Sequence, residues 1–217
     1  MNKIIISIIS FIFLFSIGCN ITQEYKFNKD MSGTSNMEID ISALIGFMGS
    51  MDSLESQNSL DSLDQSFEEV AKEYKKMGAT NVNYGWKNNK TILYLSYDYK
   101  DLEMLNKLLS AETGDLLGSK IMGDSTEKPE FIKKGKNKYI YNAPEVSNDT
   151  LFNNEDMASM KEYYNYSLIF NFATEIKKLK SEKAELSSDK KSIEFSGSLF
   201  DIFSPDYTTD FEVKLKK

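Results

Sequence analysis

The sequence predicts an α+β fold: a mixed, mainly antiparallel twisted sheet with two or three helices packed on one face. Three observations carry that expectation. Stretches with strict two-residue alternation recur along the chain, "NMEIDISA" (36–43) being the cleanest. The turns between such stretches are short, as in "KNNK" (87–90) and "SDKK" (188–191). No strand–helix–strand unit carries a glycine-rich phosphate loop, so a doubly wound parallel sheet is not expected.

The elements follow in order. "YKFNKDMSGTS" (25–35) alternates at Tyr25 and Phe27 and turns around Ser32 and Gly33; with "NMEIDISA" it forms two strands or one long bent strand. In the second stretch Met37, Ile39, Ile41 and Ala43 share one face. From Ser50 to Asp64 the chain has the composition of a mobile loop. Ser66 with Glu69 then reads as a capping box opening a helix, whose apolar stripe is Phe67, Val70, Ala71, Tyr74 and Met77, and Gly78 stops it. "TNVNYGW" and "TILYLSYDY" make a hairpin with Leu93, Leu95, Tyr97 and Tyr99 on one face. Asp101 is placed to cap a short helix, "LEMLNKLLS", with Leu102, Leu105, Leu108 and Leu109 inward.

Residues 112–130 read as loop, and "FIKKGKNKYIYNAP" as two short strands around Gly135. "NNEDMASMKEYY" (153–164) has helical spacing at Met157, Met160 and Tyr164. "YSLIFNFATEIKKLK" alternates at Tyr166, Leu168, Phe170 and Phe172. "AELS" and "SIEFSGSLFDI" form a second hairpin, and Phe211, Val213 and Leu215 mark a closing strand. The two hairpins align over 86–102 and 186–202, with Lys90, Ser96 and Asp101 matching Lys190, Ser196 and Asp201. Two readings stay open, an internal two-fold repeat with halves 25–112 and 130–217, and the alternation any two hairpins share.

The N-terminus sets the expected location. Lys3 precedes an apolar run, Ile4 to Ile17, interrupted only by Ser7, Ser10 and Ser16. That run suits a signal-peptide core and falls short of the roughly 20 residues that span a bilayer. Gly18 and then Cys19, the chain's one cysteine, follow it. The arrangement resembles the bacterial lipobox, with Ser16 where leucine is most common. The resemblance implies a signal peptide of residues 1–18, cleavage between Gly18 and Cys19, and lipid attachment at Cys19. Residues 19–24 would then be a lipidated tether and 25–217 one α+β domain. Acyl chains at about 0.8 kcal/mol per buried CH2 would hold such a protein on a membrane.

Removing residues 1–18 leaves 199 residues with 25 lysines against 33 acids, a net charge of −8. That balance argues against nucleic acid and against attraction to anionic lipid. There is no histidine, and all 26 basic residues are lysines. Ser-His-Asp and Cys-His catalysis are thereby excluded, as are the usual zinc ligands and the bidentate arginine fork. Carboxylate pairs, Ser-Lys dyads and oxygen-only calcium sites survive. Asp52, Glu55, Asp61 and Asp64 are spaced unlike a calcium loop and read as a solvated stretch.

Two segments are candidates for contact with a partner. Leu44, Ile45, Phe47, Met48 and Met51 read either as a strand continuation buried under the next helix or as a hydrophobic lip. Tyr94, Tyr97 and Tyr99, and Tyr163, Tyr164 and Tyr166, line a pocket or simply fill sheet faces. Asp98, Lys100 and Asp101 read as a cap and a solvated face.

Together, the lipobox, "EYKFNKDMSGTSNMEIDISAL", "LSYDYKDLEMLNKLL" and "YYNYSLIFNFATEI…AELSSDKKSIEF" look like uncharacterised lipoproteins of Bacteroidota. The last third is also similar to the LppM-type lipoprotein domain, with Ala173 and Thr174 where that pattern commonly has proline. The resemblance implies a membrane-anchored domain of unknown activity; residues 20–27 carry one acid, Glu24, and not the acidic cluster that resembles a surface-export signal, so the expected location is the cell envelope, lipid-anchored on the outer membrane and facing the periplasm. The resemblance supplies no catalytic residue. The expectation is therefore a non-catalytic envelope interaction module without a cofactor, its partners the membrane through the covalent lipid and an envelope protein. The alternative is a carrier of a lipid or other hydrophobic ligand.

Overall fold

The computed structural model describes residues 18–42, 53–115, 128–144, 163–204 and 206–217. Strands β1 (Cys19–Phe27) and β2 (Gly33–Asp40) form an antiparallel hairpin. Its turn is closed by Asp30, whose Oδ1 accepts from the Ser32 amide at 3.0 Å and the Ser32 hydroxyl at 2.7 Å. Residues 19–24, expected as a tether, are part of β1. Cys19, Ile21, Gln23, Tyr25 and Phe27 all point into the core, so the alternation legible at Tyr25 and Phe27 runs back to the cysteine. Polar Gln23 interrupts that pattern in the sequence.

Helix α1 (Ser53–Met77) begins thirteen residues before Ser66, over the stretch expected as loop. No glycine or proline interrupts it, and serine and aspartate each cost a helix only a few tenths of a kcal/mol. The Ser66 hydroxyl donates to the Ser62 carbonyl at 2.9 Å inside the helix instead of capping it. Asp64 accepts the Trp86 indole N–H at 3.0 Å, tying the early turns to the sheet. Gly78, at φ +102°, ends the helix as expected. Phe67, Val70, Ala71 and Tyr74 bury the predicted stripe.

Strands β3 (Thr80–Lys87) and β4 (Ile92–Tyr99) form the first expected hairpin. Helix α2 (Leu102–Asp115) starts on its predicted cap, the Met104 amide donating to Asp101 Oδ1 at 2.8 Å. The remaining strands are β5 (Glu130–Lys133), β6 (Lys138–Asn142), β7 (Tyr164–Phe172), β8 (Ile176–Lys180), β9 (Glu185–Leu186), β10 (Ser192–Ser198) and β11 (Phe211–Leu215). A short helix, α3 (Leu199–Ile202), replaces the end of the expected last hairpin strand. The helix expected over 153–164 lies outside the described residues except at its end, where Tyr164 opens β7.

The α+β class is as predicted, but the strands divide between two sheets. The larger has the order β3-β4-β2-β1-β7-β10-β9, the smaller β5-β6-β11-β8. Within the larger sheet β1 and β7 run parallel, Cys19 opposite Tyr164 and Phe27 opposite Phe172. The other pairs among the described residues are antiparallel. One face of the large sheet is apolar. Helix α1 packs its Tyr74 ring against Tyr97 at 4.9 Å, and the small sheet covers β1, β7 and β10. Phe170 is the hub between the sheets, touching the rings of Tyr25, Phe131, Tyr141, Phe195 and Phe211.

Asn106 on α2 joins the layers. Its side-chain amide donates to the Phe131 carbonyl at 2.9 Å and accepts from the Phe131 N–H at 2.7 Å, which occupies the open edge of β5. The other face of the large sheet is polar and cross-linked. Asn171 Nδ2 donates to Glu24 at 2.7 Å, Thr34 to Asp98 at 2.7 Å, and Lys87 pairs with Glu38 at 2.7 Å.

The two compared hairpins occupy the two edges of the large sheet. Outward from β1 the order is β2-β4-β3 on one side and β7-β10-β9 on the other. Leu93, Leu95, Ile193 and Phe195 all face the core. Lys90 and Lys190, aligned in sequence, both adopt left-handed backbone, at φ 65° and 57°. The small sheet has no counterpart in this scheme, since all four of its strands come from residues 130–217.

Candidate functional site at the head of the central strand

Cys19 is the first residue of β1, which lies in the middle of the large sheet with β2 on one side and β7 on the other. Its side chain is buried on the apolar face. Burial, and then the nearby Asp40 carboxylate, push the thiol up to about 11. At neutral pH this thiol is protonated, which makes it a poor nucleophile in the folded protein. Tyr164, its partner on β7, is also pushed up, first by burial and then by Cys19.

Gly18 lies where only a hydrogen fits: a Cβ there would stand 2.8 Å from the Tyr163 carbonyl oxygen. The same end of the sheet holds Ile41, whose N–H donates to the Thr91 carbonyl at 2.8 Å, and Tyr163, which is 48% exposed.

The other predicted contact residues, Leu44, Ile45, Phe47, Met48 and Met51, lie outside the described residues. The described chain leaves β2 toward them through Ile41 and Ser42, at the Cys19 end, because Asp40 pairs with Asn20. The tyrosine clusters separate by strand parity. Tyr97 and Tyr99 are core residues, as is Tyr166, whereas Tyr94 is on the polar face with Lys87 Nζ 4.5 Å from its ring centre. Among the acids of the predicted solvated stretch, Asp61 is exposed on α1 and Asp64 is the Trp86 acceptor, while Asp52 lies outside the described residues. Among the described residues no group of three carboxylate or cysteine side chains is placed to hold a metal ion.

Sequence reasoning missed a buried polar pair. Gln23 is 2% exposed and Ser35 fully buried, and Gln23 Nε2 donates to Ser35 Oγ at 2.8 Å. Gln23 Oε1 has no partner among the described residues. The signal was available: Gln23 has the same parity as Tyr25 and Phe27. A Ser35→Ala change takes away the acceptor of a buried amide, and such losses cost about 1–3 kcal/mol. Adding Gln23→Met removes the amide itself. The double variant is expected to recover most of that loss, as urea unfolding of the three proteins will show.

Comparison with known proteins adds little to this geometry. No family model matches the chain, and no curated protein matches it. Among solved structures, the folded domain of Mycobacterium tuberculosis LppM, determined by NMR, is similar at a TM-score of 0.44 and 10% identity, over 91% of this chain and 89% of that one. The likeness is weak and transfers no residue.

Proposed function

We propose that this chain is a lipid-anchored protein of the bacterial cell envelope whose domain works by binding, not by catalysis. The observation that carries the reading is the apolar run Ile4–Ile17 followed at once by Gly18 and Cys19. The missing histidine and arginine support the second half. Because Cys19 opens a strand, an acyl anchor there would leave no slack between lipid and fold. The sheet would stand end-on to the membrane, with Tyr163 and the chain leading into Leu44–Met51 at the lipid side. We place the protein at the outer membrane, facing the periplasm, with an envelope partner.

The carrier reading draws less support. Among the described residues the space between the two sheets is filled by rings 4.7–6.4 Å apart around Phe170 and Phe131.

Labelled palmitate fed to a bacterial host expressing the full chain tests the anchor. The wild type is expected to incorporate label and to yield a mature N-terminus at Cys19. Cys19→Ser should incorporate none and keep residues 1–18. Equal labelling of both proteins, or none of either, would sink the proposal.

A further inference from the structure

The lysines are not spread evenly. The four strands of the small sheet contain six lysines, Lys133, Lys138, Lys177, Lys178, Lys180 and Lys214, and two acids, Glu130 and Glu212, while the flanking Lys216 pairs with Glu175. The whole chain is at −7. On the outer face of this sheet Lys178 stands directly opposite Lys214, and Lys214 directly opposite Lys138. Lys134, whose N–H donates to the Lys138 carbonyl at 2.8 Å, extends the row past β5. Adjacent strands are about 4.8 Å apart, so the row is a ladder of like charges across β8, β11 and β6, ending just past β5.

Like charges directly opposite each other destabilise a sheet. Only part of this cost is offset within the fold: Glu212 pairs with Lys138 at 2.7 Å and with Lys180 at 3.5 Å. Among the described residues Lys178, Lys214 and Lys134 have no carboxylate partner, and Lys178 and Lys214 are exposed. A ladder that costs stability and is left unpaired at three of its four lysines is suited to an external anion. The three facing lysines and Lys134 form a line of cations across the strands. Lysine binds phosphate as a point charge and needs no bidentate fork, which this chain, without arginine, lacks.

We infer that the outer face of the β5-β6-β11-β8 sheet docks a linear, phosphate-bearing polymer along the row Lys178–Lys214–Lys138–Lys134. The small sheet packs over the Phe27–Phe172 end of β1 and β7, away from Cys19. If the proposed anchor holds, the ladder therefore faces away from the anchoring membrane, but the binding itself does not depend on the lipid.

The test uses the full chain in nonionic detergent and long-chain inorganic polyphosphate, followed by fluorescence anisotropy over a salt series. Wild type is expected to bind polyphosphate and to ignore orthophosphate at equal phosphate concentration. Lys178→Gln with Lys214→Gln should weaken binding at least tenfold. It should also lower the slope of log K against log salt by about one to two. The double variant loses cross-strand repulsion, so its thermal midpoint should be unchanged or higher, which separates lost binding from lost folding. Unchanged binding in the variant, or no binding by wild type at low salt, would overturn the inference. So would polyglutamate bound as tightly as polyphosphate. In a flotation arm, an increment on phosphatidylglycerol-containing over neutral vesicles that matches the polymer affinity would reassign the face to a membrane and equally overturn it. Failure of palmitate labelling would leave these results untouched.

Discussion

Replacing Phe170 with alanine is expected to cost about 3–5 kcal/mol, a large share of the stability of a domain this size. The ring is fully buried at the point where the sheets meet. It stacks on Tyr25 at 5.4 Å within the large sheet and meets Phe211 at 4.8 Å and Tyr141 at 5.1 Å from the small one. Truncation opens a cavity bordered by two stiff sheets, which cannot close on it as a loop would. Urea denaturation should show the midpoint falling sharply. Phe170→Leu, which keeps most of the volume, should lose less than half as much. A small loss in the alanine variant would mean that the sheets are held together elsewhere.

The second large effect is expected at Gly33, where alanine should cost at least about 3 kcal/mol. The cause is space. A Cβ at this position would lie 1.9 Å from the Lys26 carbonyl oxygen and 2.5 Å from the Tyr99 hydroxyl. Tyr99 uses that gap to donate to the same Lys26 carbonyl at 3.2 Å. The β1 backbone and the Tyr99 ring would both have to move, and both belong to the centre of the core. If Gly33→Ala unfolds at the wild-type urea concentration, the close approach at the top of the β1–β2 hairpin is not what the fold depends on.

Much of the large sheet was legible from alternation alone. Leu93 to Tyr99 and Tyr166 to Phe172 read correctly because every second side chain is apolar and the other face is solvated. Where a polar residue sits on the buried side the reading failed, and Gln23 hid the first half of β1 for that reason. The early turns of α1 were hidden by composition: serine and aspartate are turn residues in isolation, and Asp64, at the end of that stretch, is held by the Trp86 indole, a partner no local pattern shows. The second sheet was not legible because its strands are brought together by pairing between residues 130–142, 176–180 and 211–215, which no local pattern encodes. The lysine ladder has the same origin. Net charge averages over the chain, while register decides which lysines stand side by side.

For the head of β1, Gly18 and Cys19 were legible as a motif. Its structural setting was not, since only the sheet reveals that the motif opens the central strand. Leu44 to Met51 lie outside the described residues.

The position of β1 has a consequence for the order of events in the life of the chain. Asn20 and Asn165, neighbours across the parallel pair, are 145 positions apart. The middle of the large sheet therefore cannot close until the chain is available through β7, Tyr164–Phe172, and such distant pairings form slowly. Until then Cys19 stays on an open strand, accessible to an enzyme. Once β7 docks, the thiol is buried and inert. Lipid attachment at Cys19 therefore has to precede folding, and a lipidated sulfur could not take the buried place that the free thiol has here.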